Sequence, residues 1–459
     1  MEIGYKVSNK EVQRTITEYL DNEYAAYGMY TIENRAIPSA IDGFKPTQRK
    51  IIYVANRVWK GSNDKPNKVF QFAGRIAADA AYHHGDASLN AAIIGMAQTF
   101  KNSMPLLDGI GQFGSLRSPE PGAPRYISTK LNGNFRLLYK DFELLEKQEE
   151  EGNEIEPKFF LPIIPTVLLN GSSGIAVGFA TNILNRNSID LIDACIKSLD
   201  GKKFSEPLPW WNGFDGRVEK IESQSSSFLI KGSYEITNTT TVKITELPPS
   251  MTYQKFESHL NSLQEKGHIQ YYDDNCTKNE IHYSVKFNRA SLAERIKKNS
   301  LESLLKLNES ETENLTCLNE NGKLIIFKSA TELINYFVKF RLSFYDKRKQ
   351  YLLDELNKDL LISSNRAKFI KKIIDNKLKI SNRPKIDIIS DLEKDKFHKI
   401  EDSYDYLLNM SIHTLTKEKF EDLLSQIEKM SDEVKRVQEL LPANMYKTDL
   451  LELKKKIAK

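Results

Sequence analysis

An arginine and a tyrosine stand side by side, Arg125 and Tyr126, at the end of a segment rich in glycine and proline. A tyrosine hydroxyl can attack phosphorus once its proton is removed, and its free pKa of about 10 means that it needs help from its neighbours. A guanidinium beside it offers fixed donors to phosphoryl oxygens as negative charge develops. The pair could transfer a phosphoryl group to tyrosine, although most such dipeptides are simply a strand tyrosine beside a surface arginine.

Basic residues gather upstream of this pair. The cluster has nine members, opposed by only two acidic residues, Asp42 and Asp64. Its members are Arg35, Lys45, Arg49, Lys50, Arg57, Lys60, Lys65, Lys68 and Arg75. This local excess suits a polyphosphate partner, with a solvated basic face as the alternative. Because the whole chain has a formal net charge of only +4, a nucleic-acid surface has to be local.

Residues for several other chemistries are missing. The sequence has no HExxH, GxSxG or GxxxxGK[ST] motif, and Cys195, Cys276 and Cys317 form neither a zinc motif nor a disulfide framework. These absences argue against a nucleotide-hydrolysing site or a metal site on this chain. No run approaches the ~18 apolar residues of a membrane helix, and the cysteine usage favours a reducing cytoplasm.

Helices are the first elements that must position these residues. Hydrophobic spacing predicts helices over 8–33 and 51–58. Two shorter helices are predicted, one from Gly74 to Ala80 and one from Leu89 to Phe100. The short pair flanks a tight turn and could form a helix-turn-helix, although many helical hairpins share this pattern.

The Arg-Tyr pair itself lies where a loop meets a strand. The stretch 105–125 has no helical periodicity and is predicted to be one long loop, of the kind that is usually functional or disordered. From Arg125 to Leu131 the residues alternate, which predicts a strand with Ile127 on its apolar face and Tyr126 on its polar face.

The middle of the chain, about 155–330, has a mixed character. Strand-like runs and one helix alternate there: strands at 228–230, 241–244 and 282–287, a helix at 254–265, and hairpin tips or loops at Ser223–Ser227 and Thr239–Thr241.

The last third of the chain is predicted to be helical, since no glycine follows Gly322. Ser329 and Glu332 match a capping box, which predicts a long helix from there to about 379. A heptad seam from Phe420 to Leu441 predicts a second long helix, and the two would bracket a small helical unit near 382–415. An ordinary bundle core would give the same seam.

Five segments of the chain, in order, match a known family. They read RAIPSAIDGFKPTQRKIIY (35–53), YHHGDASLNAAIIGMAQTF (82–100), LLDGIGQFGS (106–115), APRYISTKL (123–131) and LPIIPTVLLNGSSGIAVGFATNI (161–183). In these segments, and more weakly at 243–256 and 320–341, the chain resembles the DNA breakage-and-reunion subunit of type IIA DNA topoisomerases. Its short length and its mixed bacterial and eukaryotic character most resemble the subunits of T4-like bacteriophages.

The resemblance implies roles for individual residues. Tyr126 falls on the family's nucleophile, which becomes joined to a DNA 5′-phosphate, and Arg125 on the arginine that stabilises the transition state. Ile175 falls on the isoleucine that wedges between base pairs and bends the duplex; core packing is the alternative for this side chain. The expected DNA-binding residues are Lys45, His84, Arg49, Arg35 and Ile175.

The resemblance also implies a fold and an assembly. The expected architecture is α+β and multidomain: a winged-helix cleavage domain with an N-terminal helix at 1–150, a mixed α/β tower domain at 151–328, and a helical coiled-coil dimerisation gate at 329–459. The implied enzyme is an ATP-dependent topoisomerase that passes one duplex through a transient double-strand break, relaxing and decatenating DNA. Its expected partners are double-stranded DNA, a second copy of this chain through the C-terminal helices, and a subunit that carries the ATPase and the Mg²⁺ site.

The match to the bacterial members is incomplete. They have a proline between two histidines where this chain has Tyr82-His83-His84, which leaves the role of His83 open, and Ala87 stands at the position of their serine. Gyrase A subunits also continue into a DNA-wrapping β-pinwheel that is not present here. Two other interpretations stay in view: a non-catalytic architectural protein that bends DNA, and a self-contained tyrosine enzyme that nicks or recombines DNA.

Overall fold

The computed structural model describes residues 15–61, 63–115, 118–222, 226–277, 280–400, 402–411 and 414–458. Two compact units make up the chain: one runs to Arg341 and takes in the end of the chain from Asp449, and the other is Leu342–Thr448. The mixture of helices and strands confirms the α+β class. The first residues of the predicted helix 8–33, and most of the predicted loop 223–227, lie outside the described residues.

The first unit opens with helical structure from Ile16 to Ala36, in which α1 (Ile16–Tyr19) and α2 (Ala25–Thr31) are each followed by a π-helical segment. The Thr15 hydroxyl accepts a hydrogen bond from the Glu18 amide, and the Glu18 carboxylate accepts one from the Thr15 amide, so a capping box begins this element. Most of its side chains up to Tyr30 are exposed.

Three helices follow and form the centre of the first unit: α3 (Pro46–Val58), α4 (Val69–Asp79) and α5 (Asp86–Ala97). Proline at the first position of α3 fits a helix start, because no partner is needed for its missing amide. The predicted start of α4 at Gly74 is wrong by one and a half turns, because buried Val69 and Phe72 already belong to its inner face. Phe100 lies beyond the end of α5.

A three-stranded antiparallel sheet packs beside these helices, in the order β1 (Asn67–Lys68), β3 (Ser128–Leu131), β2 (Leu107–Ile110). The prediction of one unbroken loop over 105–125 is therefore wrong, because this stretch contains β2, which pairs with β3 farther along the chain. The predicted strand from Arg125 begins only at Ser128, and Arg125 and Tyr126 belong to the turn that precedes it.

Short elements connect this part of the first unit to the next. They are α6 (Gly133–Leu138), β4 (Tyr139–Lys140), a 3₁₀ turn (Phe142–Leu144), β5 (Gln148–Glu150), β6 (Asn153–Ile155), β7 (Leu161–Pro162), α7 (Thr166–Asn170), β8 (Ser172–Ile175), β9 (Ala180–Ile183) and α8 (Ser188–Leu199).

The rest of the first unit is mainly sheet. Its elements are β10 (Arg217–Lys220), β11 (Ser227–Lys231), β12 (Ser233–Asn238), β13 (Thr241–Glu246), α9 (Tyr253–Glu265), β14 (Tyr271–Asp274), β15 (Tyr283–Lys286), α10 (Arg289–Lys297), α11 (Leu301–Leu304), β16 (Asn308–Thr312), β17 (Leu315–Leu318) and β18 (Leu324–Phe327). One sheet has the order β10-β11-β16 and another β12-β13-β15-β14. The predicted strands at 228–230, 241–244 and 282–287 and the helix at 254–265 are confirmed.

The end of the chain is helical, as predicted. Its helices are α12 (Ala330–Ile374), α13 (Lys385–Lys394), α14 (Asp405–Leu408), α15 (Lys417–Glu439) and α16 (Pro442–Ile457). The Ser329 hydroxyl accepts a hydrogen bond from the Glu332 amide at 3.3 Å, which confirms the predicted helix start. Among the described helices, none is both long and apolar enough to cross a membrane.

The second unit shows where the heptad seam packs. Leu423 on α15 is buried against Ala367 and Ile370 on α12, so this part of the seam is a core within one chain. Leu441, the last residue of the predicted seam, lies beyond the end of α15 and is exposed.

Candidate functional site

Tyr126 stands on a short turn directly before β3. Its amide donates to the Ala123 carbonyl at 2.9 Å, and its side chain is 73% exposed. The next residue, Ile127, is buried, and its carbonyl accepts from the Val69 amide at 3.1 Å. The predicted alternation is confirmed at these two positions, with Ile127 as the anchor and Tyr126 directed outwards.

Residues at the start of α4 hold this turn by hydrogen bonds to the backbone carbonyls of the turn. Lys68 Nζ donates to the Tyr126 carbonyl at 2.8 Å, and the Phe70 amide donates to the Pro124 carbonyl at 3.2 Å. Sequence reasoning placed Lys68 in the basic cluster but not at this turn. The pairing of β1 with β3 sets Lys68 opposite Ser128. Sequence reasoning missed this because a strand of two residues shows no periodicity.

The reactive groups of the pair are the Tyr126 hydroxyl and the Arg125 guanidinium. Within the described parts of the chain, no hydrogen bond or ion pair reaches the Tyr126 hydroxyl or the Arg125 guanidinium, and both side chains are exposed. Both groups are therefore free to bind a substrate. No such contact joins them to Lys45 or His84 either.

Ile175 lies at the tip of a hairpin formed by β8 and β9, which we call the Ile175 hairpin. It pairs with Ala180 across the hairpin, and the connecting turn closes with a 2.8 Å hydrogen bond from the Ala176 amide to the Phe179 carbonyl. The Ile175 side chain is 87% exposed, which rules out the core-packing alternative.

Lys45 connects the start of α3 to the Ile175 hairpin. Its Nζ donates to the Ser173 carbonyl at 2.7 Å, and burial lowers the pKa of this ammonium. At Gly174, a Cβ atom would overlap the Ala36 carbonyl oxygen and lie 3.1 Å from Lys45 Nζ. The hairpin thus packs closely on the segment that carries Lys45 and, one residue before Ala36, the exposed Arg35.

Arg49 turns inwards and does not reach the surface where Lys45 lies. Its Nε lies 2.7 Å from Asp42 Oδ2 and its second terminal nitrogen 3.1 Å from Asp42 Oδ1. Burial is the largest single influence on the Arg49 guanidinium and by itself lowers its pKa, but the charge of Asp42, the hydrogen bonds to it and the nearby Glu156 charge together raise the pKa overall. The Nε and one terminal nitrogen of Arg49 are thus occupied by a buried carboxylate, and the DNA contact that the resemblance implies for Arg49 stays a prediction.

Lys50 is a second member of the basic cluster that turns inwards. Its Nζ donates to the Ala80 carbonyl at 2.7 Å and to the Glu156 carboxylate at 3.0 Å. The surface charge of the cluster is therefore smaller than a count along the sequence indicates.

The two histidines have different surroundings. His84 is exposed, with its Nε2 at 3.3 Å from the Tyr30 hydroxyl and its ring edge-on to Tyr82. His83 Nε2 lies 3.4 Å from the Glu150 carboxylate, which forms an ion pair when His83 is protonated. Both histidines are therefore exposed on the turn before α5, each with one polar neighbour.

Metal-binding side chains are scattered over the parts of the chain that the structure describes. No three His, Cys, Asp or Glu side chains gather there in a way that could hold a metal ion. The residues beside Tyr126 therefore do not fit a Mg²⁺ site.

The sequence of this chain is similar to those of known proteins. The sequence model of the A-subunit family of DNA gyrase and topoisomerase IV matches residues 35–452. The DNA topoisomerase medium subunit of Enterobacteria phage T4 is 35% identical over 96% of this chain and 99% of its own length. The mitochondrial DNA topoisomerase 2 of Dictyostelium discoideum is 34% identical over 100% of this chain but only 36% of its own length.

A solved structure is similar along almost the whole chain. It is the DNA-binding, cleavage and re-ligation domain of Plasmodium falciparum topoisomerase II, with a TM-score of 0.83 and 32% identity over 96% of this chain and 64% of that one. The chain thus spans the length of its phage relative and about a third of its eukaryotic relatives. With a family match over most of its length, the chain belongs to the A-subunit family of DNA gyrase and topoisomerase IV.

Proposed function

We propose that this chain is the DNA cleavage and rejoining subunit of an ATP-dependent type IIA DNA topoisomerase. Family membership supports the proposal, and one observation carries it to the atomic scale. Tyr126 is an exposed tyrosine whose hydroxyl has no partner among the described residues, on a turn whose backbone is held by Lys68 and Ala123. The match of this position to the family's nucleophile assigns it the attack on DNA.

The reaction exchanges one phosphodiester for another. The Tyr126 hydroxyl gives up its proton to solvent, and its oxygen forms a bond to phosphorus while the bond from phosphorus to the DNA 3′-oxygen breaks. The electron pair leaves with that oxygen, which takes up a proton from solvent. Arg125 holds the non-bridging oxygens as their charge grows. The 5′-phosphotyrosyl link conserves the energy of the broken bond, so the reverse attack by the 3′-oxygen reseals the strand without a nucleotide.

Basic and apolar side chains prepare the duplex for this step. Among the described residues, the basic members of the predicted DNA-binding set that neither pair with an acid nor lie fully buried are Arg35, Lys45 and His84. The exposed Ile175 suits a wedge between base pairs, which bends the duplex.

The proposed division of the chain follows the family. We assign a winged-helix cleavage domain to residues 1–150, with α4 and α5 as its helical pair and β1–β3 as its sheet. A tower domain at 151–328 carries the Ile175 hairpin, and the coiled-coil gate at 329–459 joins two copies. Two copies would each cut one strand, and a second duplex would pass through the gap, which relaxes and decatenates DNA.

Partners complete the enzyme in this proposal. The relative from phage T4 is named a medium subunit, which fits an enzyme divided among several chains. We assign the binding of ATP and Mg²⁺ to a partner subunit. The assembled enzyme would act on DNA in the cytoplasm of a bacterial host.

A denaturant trap tests the proposal against the architectural alternative. The chain and its partner are mixed with DNA, and detergent is added to stop resealing and reveal protein joined covalently to DNA. Wild-type protein should yield the adduct, and Tyr126→Phe should bind DNA normally but yield none, because only one hydroxyl is lost. A protein that bends DNA and never yields an adduct would be the architectural one.

A further inference from the structure

Asp42 is a fully buried carboxylate held by four hydrogen bonds. Its Oδ1 accepts from the Phe44 amide and an Arg49 terminal nitrogen, both at 3.1 Å. Its Oδ2 accepts from Arg49 Nε at 2.7 Å and the Phe160 amide at 3.1 Å. A buried charge needs such pairing, and removing one partner leaves the other uncompensated.

The backbone of the same residue is fixed as well. The Asp42 carbonyl accepts from the Tyr139 hydroxyl at 3.0 Å and the Thr166 hydroxyl at 2.7 Å. The next residue, Gly43, has φ of 73°, and a Cβ there would lie 2.6 Å from the Val167 amide nitrogen. Only glycine fits this close turn, so the path of the chain after Asp42 is set from both sides.

The position of Lys45 is determined by this turn. It is the N-cap residue of α3, and its amide donates to the Gln48 side chain at 3.0 Å. Its ammonium then reaches the Ser173 carbonyl of the Ile175 hairpin. A shift of the turn would move this ammonium, since only two residues separate Lys45 from Asp42.

We infer that Asp42 and Arg49 are a positioning pair, which holds the turn that sets the Lys45 ammonium against the Ile175 hairpin for contact with DNA phosphate. The inference rests on the proposed function, which gives Lys45 its DNA contact. It assigns Arg49, an arginine of the basic cluster, to the interior, and it gives the acidic Asp42 a part in binding an anionic ligand.

The direction in which one substitution changes the affinity for DNA distinguishes this role from a simple effect of charge. Asp42→Asn removes a negative charge, which by itself would strengthen DNA binding. If Asp42 positions Lys45, the same change weakens binding instead. The full-length chain is titrated with a fluorescently labelled duplex at several salt concentrations, because the slope of log K against log salt reports phosphate contacts at about 0.9 per contact.

Lys45→Met sets the scale of the experiment. Losing one phosphate contact should reduce the slope by about 0.9, which is about an eight-fold loss of affinity at about 0.1 M salt. Asp42→Asn, like Lys45→Met, should reduce both the slope and the affinity. The double variant Asp42→Asn/Lys45→Met should bind no more weakly than Lys45→Met alone. Glu313→Gln is the matched control, because it neutralises the carboxylate of another buried arginine pair, Arg186–Glu313, and should keep the wild-type slope.

Arg49→Lys is the second variant if Asp42→Asn does not fold. Lysine keeps the positive charge but cannot make the two-point contact with Asp42, so binding should weaken here too. Wild-type slopes in folded Asp42→Asn or Arg49→Lys, or losses that multiply with that of Lys45→Met, would overturn the inference. An unchanged slope in Lys45→Met itself would remove the DNA contact of Lys45 and refute the inference, whereas a missing covalent adduct would strike only the proposed chemistry.

Discussion

Arg125 and Tyr126 are both exposed, and no hydrogen bond or ion pair from the described residues reaches their functional groups. The structure fixes their turn through backbone bonds to Ala123 and Lys68 and leaves both side chains exposed. A side chain without an internal partner is oriented by its substrate, and Arg125 is the neighbour that can hold a phosphate in front of the hydroxyl.

Arg125→Ala tests this role. Removing a donor that meets developing charge typically reduces a rate by about 10²–10³, so the variant should bind DNA and cleave it slowly. Cleavage rates at saturating DNA measure the effect. Arg75→Ala, which removes an exposed arginine paired with Asp79 on α4, is the control and should cleave at the wild-type rate. Equal rates in the two variants would remove the role given to Arg125.

Ile175→Ala tests the wedge. The side chain is exposed, so its loss should change the free energy of unfolding by no more than about 0.5 kcal/mol, yet it should reduce the bend of bound DNA. Energy transfer between dyes at the two ends of a duplex reports the bend. Ile326→Ala removes another isoleucine that is 62% exposed and should leave the bend unchanged. A wild-type bend in Ile175→Ala would contradict the wedge.

Single residues show where sequence reasoning succeeds and where it stops. The outward direction of Tyr126 could be predicted, because alternation with a buried neighbour is a local property. The inward direction of Arg49 could not, since it depends on Phe160 and Thr166, distant in sequence, which enclose Asp42. Counting charges along the chain treats Asp42 as an opposing surface charge, whereas it is the buried partner of one cluster member.

At the scale of elements, long periodic segments could be predicted and short ones could not. The helices α9, α12 and α15 have enough turns for their apolar spacing to stand out. The strand β2 has four residues and exists because β3 pairs with it; its sequence is dominated by neighbouring glycines. The heptad seam could be read from the sequence, but the sequence left open whether the seam forms a coiled coil or the core of an ordinary bundle. In the structure, part of it packs on α12 of the same chain.

The helix α13 offers a test of how two copies join. Its Ile388 and Leu392 are buried in the second unit, while Ile386 is 78% exposed. We expect Ile386 to lie in the proposed dimer contact of the C-terminal helices, because a large apolar side chain at such exposure gains from burial. Ile386→Asp should weaken the dimer at least about ten-fold in sedimentation experiments while the helical content stays unchanged. Leu424→Asp, at an exposed position on α15, is the control, and equal dimerisation of both variants would place the contact elsewhere.

At the scale of the whole molecule, the proposal divides one reaction among several chains. The described residues include the proposed nucleophile, exposed basic side chains and the proposed wedge, but no group of three His, Cys, Asp or Glu side chains that could hold a metal ion. Cleavage activity should therefore depend on a second subunit.

Purified chain tests this dependence. Alone, it should bind DNA with a strong salt dependence and leave supercoiled plasmid unchanged, with or without Mg²⁺ and ATP. Addition of the partner that carries the ATPase and the metal site should start relaxation, followed on agarose gels. Robust relaxation by this chain alone would favour the self-contained tyrosine enzyme.

The central claim is that Tyr126 takes the 5′-phosphate of DNA, and the trapped adduct tests it most directly. Duplexes labelled at either the 5′ or the 3′ end of the cleaved strand are cut by the assembled enzyme, denatured and separated, and the protein is then digested to locate the linked peptide by mass spectrometry. The account predicts that the 3′-labelled fragment stays with the protein, that the 5′-labelled fragment is released, and that the linked residue is Tyr126. Retention of the 5′-labelled fragment, or a link at any other residue, would contradict it.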